Sequence, residues 1–178
     1  MAGSRREGRC GILGAGAVIF ASVGSMLPFD RFVEGIDVWA GQNPDVPVFI
    51  QIGEGEYEPK NAPWARIVPH DEYQARLEEC SLFVAHVGMG SIMQALEKRK
   101  QMLLVPRYAE RGEHTTDHQL ATAEKFRDTK GLLIVNEVEE LHREMTRLLA
   151  NPLQSSDGIP QFAESGFTQK VGAFLRGD

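Results

Sequence analysis

His86, Gly88, Gly90 and Ser91 lie close together in the stretch Leu82-Phe-Val-Ala-His86-Val-Gly88-Met89-Gly90-Ser91-Ile-Met-Gln94-Ala-Leu-Glu97. The apolar run from Leu82 to Ala85 ends in a histidine and crosses two glycines and a serine. It then turns helical, because Ile92, Ala95 and Leu96 recur at three- and four-residue spacing. A strand, a glycine turn and a helix N-terminus are the parts of an anion site. Glycines let the backbone approach a phosphate, and the unpaired first-turn N–H groups and helix dipole attract negative charge. Ser91 is placed to cap that helix or to donate its hydroxyl to the same anion. An ordinary strand-to-helix turn with a packed histidine fits the same residues, so other stretches must decide.

Those residues need a scaffold. Val18-Ile19-Phe20-Ala-Ser22-Val23, Val46 to Ile52, Trp64 to Pro69, Met102 to Val105 and Gly131 to Val135 read as strands. Between them lie helical patterns: Phe32 to Trp39, Tyr73 to Cys80 with Asp71 as its cap, Thr116 to Arg127, and Val138 to Leu149. A last amphipathic segment carries Phe167, Val171, Phe174 and Leu175. Strands alternating with helices imply an α/β fold: a Rossmann-like parallel sheet with helices on both faces. Residues 1–17 read as a leader and 18–178 as one α/β domain. In such a sheet ligands bind at the carboxyl ends of the strands. That edge gathers Gly24-Ser25, the loop after Ile52, Val68-Pro69-His70, His86 to Ser91, and Arg107 to Gln119.

Composition narrows the classes. The 178 residues are 42% hydrophobic and 25% charged, as in a globular domain. A net charge of −6 with no basic block argues against a nucleic-acid surface. Cys10 and Cys80 sit in unlike surroundings, which favours a reduced, cytoplasmic chain. The run from Cys10 to Val23 is too short to span a bilayer. Arg5-Arg6 and Ala15-Gly-Ala17 mimic a signal peptide, but cleavage there would leave the first strand as the new terminus. Gly11-Ile-Leu-Gly14-Ala-Gly16 mimics a dinucleotide fingerprint. Its third glycine is out of place, and a β-branched run follows where a helix is needed.

Glu113-His114-Thr-Thr-Asp117-His118-Gln119 is the second unusual stretch. His114 and His118 would share a helix face and could bind a metal. Thr115 stands where a His-Glu-x-x-His motif needs an acid, and no third ligand is spaced to join them. Asp117, His118 and Gln119 suit hydrogen bonding to sugar hydroxyls, or else cap a helix. Arg107 and Arg111 could pair with a diphosphate, and Arg111 also reads as a solvated loop charge. His142 reads as a surface residue, Cys80 as a small core residue, and Glu54, Glu56 and Glu58 as a solvated loop.

Four ordered motifs carry a resemblance: Ser22-Val-Gly24-Ser25-Met-Leu-Pro28-Phe-Asp30; Gln51-Ile-Gly53; His86-Val-Gly88-Met89-Gly90-Ser91; and Gly112-Glu-His114 with Asp117-His118-Gln119-Leu-Ala121. From about Ile19 to Leu175 the chain resembles the C-terminal, donor-binding domain of family-28 glycosyltransferases of the GT-B fold. The likeness is closer to single-domain members, such as the soluble subunit of dolichol-linked chitobiose synthase, and bacterial exopolysaccharide enzymes of the PssE kind are also similar. The resemblance implies a UDP-sugar donor and no metal or other cofactor. Gly24, Ser25, His86 and the turn Gly88, Met89, Gly90 and Ser91 would lie at the diphosphate, Val68 at the uracil, and Asp117, His118 and Gln119 at the donor sugar, with His114 also among the donor-binding residues. Gln94 stands where the family usually has a ribose-binding glutamate; an amide there accepts a hydrogen bond but brings no charge.

The catalytic base and acceptor site of that family belong to the other lobe. The resemblance therefore implies a membrane-associated, acceptor-binding partner subunit, with the chain itself cytoplasmic and held at the inner membrane face through that partner. Self-association into a homo-oligomer stays open. Two rivals remain: a non-catalytic stabilising subunit, which Gln94 favours, and a metal-dependent hydrolase built on His114 and His118.

Overall fold

The computed structural model describes residues 16–156. The amphipathic segment around Phe167 to Leu175, and all but the last two residues of the leader, lie outside the described residues. The apolar runs become the strands β1 (Ile19–Ser22), β2 (Val48–Gln51), β3 (Trp64–Ala65), β4 (Leu82–His86), β5 (Met102–Val105) and β6 (Leu132–Ile134). All pair in parallel, in the order β3-β2-β1-β4-β5-β6.

Parallel strands buried on both faces read as continuous apolar runs rather than as alternation. Residue parity then decides which core each side chain joins. Ile19, Ala21, Leu82, Val84, Leu103 and Val105 enter one core. Phe20, Phe83, Ala85, Met102 and Leu104 enter the other. Helices α1 (Asp30–Gln42) and α5 (Val138–Ala150) cover the first face through Phe32, Val33, Ile36 and Trp39, and through Leu141, Met145 and Leu148. The Trp39 indole N–H donates to Thr146 Oγ1 at 3.0 Å and ties these two helices together. Helices α2 (His70–Glu79), α3 (Met89–Glu97) and α4 (His118–Phe126) cover the second face through Leu77, through Ile92, Ala95 and Leu96, and through Ala123. Each large apolar side chain so buried contributes roughly 1.5–3 kcal/mol. Cys80 is a core residue: it is 2% exposed, its thiol donates to the Leu77 carbonyl, and burial pushes its pKa up to about 11. Glu54, Glu56 and Glu58 are exposed, as a solvated loop requires.

Chain order reverses between β1 and β4, which lie side by side. Their carboxyl ends therefore bound the crevice in which open α/β sheets bind ligands.

Three local readings are corrected. Asp71 lies inside the first turn of α2; the cap position is Pro69, and no side chain caps that helix. The fourth helix starts at His118 rather than Thr116, because Asp117 breaks the helical path and its Oδ1 accepts the Ala109 N–H at 2.9 Å. His114 and His118 thus share no helix face. His142 is half-buried against α1, with Nε2 2.6 Å from the Gly35 carbonyl. Since a carbonyl only accepts, that nitrogen carries the hydrogen.

Candidate functional site

The crevice is built outward from His86, the last residue of β4. Its imidazole lies between Gly24 and Gly88. A Cβ on Gly88 would stand 2.2 Å from His86 Nε2, and one on Gly24 would stand 2.8 Å from its Cε1. Gly24 also holds φ +77°, a left-handed conformation that favours glycine. These two glycines therefore make room for the imidazole. A Cβ on Gly90 would meet nothing within 4 Å, so it is there that the backbone is open to a ligand.

Nδ1 of His86 is buried and, alone among buried side-chain polar atoms of the described residues, has no hydrogen-bond partner. Burial first, and the nearby Arg107 charge second, lower the imidazole pKa to about 4. The ring is therefore neutral at pH 7.

Immediately beyond it α3 begins, with Gly88 at the cap position and no side-chain cap. The Gly88 N–H is spent on the His86 carbonyl (2.8 Å), and the Ile92 N–H closes the first helical bond to the Gly88 carbonyl (3.0 Å). Helix geometry leaves the N–H groups of Met89, Gly90 and Ser91 without intrahelical partners. The first turn carries no acidic residue. Ser91 does not cap the helix. It is buried, and its hydroxyl lies with that of Ser22 against the hydroxyl of Tyr73, whose own pKa burial raises.

A cavity of about 660 Å³ opens here. Every candidate from the sequence lines it except Asp117 and Arg111: Gly24 and Ser25 after β1, Val68 after β3, His86 to Ser91, Gln94 on α3, Arg107 after β5, His114 before α4, and His118 and Gln119 at its start. Asp117 is exposed and spends Oδ1 on the Ala109 N–H. Gln94 is already engaged, because its Oε1 accepts from Gln74 Nε2 at 3.0 Å. Gln119 is buried, and its Oε1 accepts the Arg107 N–H at 3.0 Å. The rings of His114 and His118 meet edge to face with centroids 5.0 Å apart. Among the described residues no group of three His, Cys, Asp or Glu is placed to hold a metal ion.

Arg107 differs from its sequence reading. It is 2% exposed, and its terminal N–H groups donate to four carbonyls: Val23 (2.8 Å), Leu27 (2.7 Å), Pro28 (2.6 Å) and Glu113 (3.0 Å). Direct bidentate pairing with a diphosphate would break those bonds. Arg111 lies outside the cavity and pairs with Glu137 at 2.9 Å.

Sequence reading gave several residues no role in the site, Gln51 among them although it opens one of the four motifs. Gln51 is buried at the end of β2. It donates to Ser22 Oγ and the Gly24 carbonyl and accepts the Val68 N–H, so it fixes two walls of the cavity at once. A polar residue closing an apolar strand was the available signal. Tyr73 and Thr122 also line the cavity, and nothing in their spacing marks them.

A doubly wound α/β sheet with an uncapped helix N-terminus at its switch point defines the class, and its fold is that of the C-terminal half of GT-B glycosyltransferases. The family model for the glycosyltransferase family 28 C-terminal domain matches residues 18–170, and the chain belongs to that family. Comparison with curated proteins returns no match. Among solved structures, the glycotransferase of kitacinnamycin is similar at 25% identity and TM-score 0.60, over 85% of this chain and 40% of its own. The calicheamicin glycosyltransferase CalG4 is similar at 17% identity and TM-score 0.59, over 77% of this chain and 36% of its own. The spinosyn forosaminyltransferase SpnP is similar at 18% identity and TM-score 0.53, over 75% and 35% respectively. The chain thus spans two fifths or less of these structural relatives. No described helix is long and apolar enough to cross a membrane.

Proposed function

We propose that the chain is the donor-binding subunit of a split, inverting GT-B glycosyltransferase. It holds a UDP-sugar while a membrane-associated partner subunit supplies the lipid-linked acceptor site and the base that deprotonates the acceptor hydroxyl. One observation carries this reading: the uncapped N-terminus of α3, with three free N–H groups, opens on a cavity at the β1/β4 switch point.

The chemistry is consistent with this. In glycosyl transfer the leaving group is the nucleoside diphosphate, and charge grows on it as the sugar becomes oxocarbenium-like. Fixed N–H dipoles in a site shielded from water stabilise that charge without reorganising. The two wings of the cavity divide in character. Ile67 and Val68 form an apolar ledge that suits a base, and His114, His118, Gln119 and Thr122 form a polar wall that suits sugar hydroxyls. The volume lies in the range of small-molecule sites, roughly 300–1,000 Å³. Family membership and the match to 40% or less of the relatives above support a single lobe of a two-lobed machine.

Calorimetry with UDP tests the donor assignment: binding at micromolar to millimolar Kd is expected, roughly −8 to −4 kcal/mol. A folded protein showing no heat of binding would refute it. The partner is tested by co-purification from membranes, where recovery of the chain with no acceptor-binding protein counts against the split arrangement. A second reading, a non-catalytic stabilising subunit, is favoured by Gln94, whose oxygen is already taken by Gln74. Loss of transferase activity from the reconstituted, still-assembled pair on Gly90→Ala in this chain would eliminate it.

A further inference from the structure

Arg107 is a buried cation without an ion pair among the described residues. The carboxylate acting on it, that of Glu113, is held bidentately by Arg31 instead, at 2.7 and 3.0 Å. Leaving a charge buried and unpaired is costly, and such charges are normally neutralised or paired. Burial lowers the guanidinium pKa to about 10, which still leaves it charged at pH 7. Four carbonyls and the face of Phe29, 4.7 Å away, replace its lost water.

The choice of carbonyls is informative. Val23, Leu27 and Pro28 bracket the Gly24-Ser25 turn after β1, whereas Glu113 belongs to the segment that leads into His114. One side chain therefore staples together two loops that both contribute to the lining of the cavity, and it lines that cavity itself.

We propose that Arg107 is a positioning residue: its guanidinium sets the Gly24-Ser25 turn against the Glu113-His114 segment before ligand arrives, and it presents to an anionic ligand at the α3 N-terminus a fixed positive charge whose counterion is that ligand. This rests on the nucleotide-diphosphate reading of the cavity and deepens it. The charge acts without direct contact, so its effect tracks the phosphates of the ligand and not the nucleoside. The groups facing His86 that bear on its titration are Arg107 after β5, His114 in the segment before α4 and the main chain of Ser22 on β1.

The test compares wild type with Arg107→Met and Arg107→Lys, using UDP and uridine as probes and the NMR titration of His86 as a second readout. Arg107→Met removes charge and staple; UDP affinity should fall by about tenfold or more, and uridine affinity by less than about twofold. The His86 pKa should rise by about half a unit or more, because the second-largest of the three causes holding it down has gone. Arg107→Lys keeps the charge and loses the four-carbonyl geometry, so UDP affinity falls while His86 titrates as in wild type. Should Arg107→Met not fold, the Lys variant decides on the same two readouts. A folded variant that binds UDP as wild type does, or one that loses UDP and uridine equally, overturns the role given to Arg107. Wild-type protein that binds neither probe overturns the nucleotide reading and this inference with it.

Discussion

Two buried polar centres of this molecule are built on opposite terms. Asp37, on α1 and fully buried, accepts five hydrogen bonds to its carboxylate from four neighbours: the Asn61 and Ala62 N–H groups on Oδ1, and the Lys60 N–H, the Tyr57 hydroxyl and Asn61 Nδ2 on Oδ2. Burial alone would raise its pKa, yet these donors outweigh burial and hold it below the usual carboxylate value. At the switch point, by contrast, among the described residues His86 Nδ1 has no partner, Arg107 has no ion pair, and no side chain caps the first turn of α3. A satisfied centre fixes the chain, whereas an unsatisfied one stores capacity for a ligand. The Asp37 hub anchors the segment from Tyr57 to Ala62, and the His86 region is where that economy is given up.

Breaking the satisfied centre should cost most. Asp37→Ala orphans its donors and is expected to lower stability by about 3–5 kcal/mol in urea unfolding, with UDP affinity of the folded fraction unchanged. A loss below about 1 kcal/mol would erase the contrast between the two centres.

Next in size is a pH effect at the unsatisfied centre. The folded pKa of His86, about 4, lies below its ordinary value of 6.5. The unfolded chain therefore binds the proton first as pH falls, and stability that is present above pH 6.5 is lost on the way down to about 4. Between pH 7 and 4 wild type should lose on the order of 3 kcal/mol more than His86→Gln. Parallel pH profiles for the two proteins would show that the ring is not buried neutral.

The glycines separate packing from binding. Gly88→Ala drives a methyl into the imidazole and should cost about 1–3 kcal/mol as well as UDP binding. Gly90→Ala meets open space within a helical turn, so stability should hold or rise by up to about 1 kcal/mol while UDP affinity drops. Differential scanning calorimetry paired with UDP titration distinguishes them. Equal destabilisation by both would mean that neither position faces a ligand. The smallest effect is expected from Gln94→Glu, a few-fold gain in UDP affinity by titration, since Gln74 already holds the amide oxygen and a carboxylate has acceptor capacity to spare.

Much of this was legible in the residues. Strands buried on both faces announce themselves as apolar runs, so the sheet and the rim of loops at its carboxyl edge could be read from Ile19, Leu82 and Met102 onward. What spacing cannot give is the direction of a polar side chain. Ser91 and Asp71 stand where caps are common, yet Ser91 turns to Tyr73, and both helices start uncapped. Gly24 and Gly88 read as clearance for phosphate, and spacing does not reveal that they also clear the ring of His86. Arg107 was recognisable as chemically able, but three of its carbonyl partners lie about eighty positions earlier, at Val23, Leu27 and Pro28. No local pattern encodes that contact.

The central claim is that an anionic ligand is taken up by the free N–H groups at the start of α3. The direct test is a ¹H–¹⁵N NMR titration of the full chain with UDP. The account predicts that the amides of Met89, Gly90 and Ser91 move most, with Gly24 and Ser25 following and residues of α5 still. Saturable shifts that leave Met89 to Ser91 unmoved, or no shifts at millimolar UDP, would contradict it.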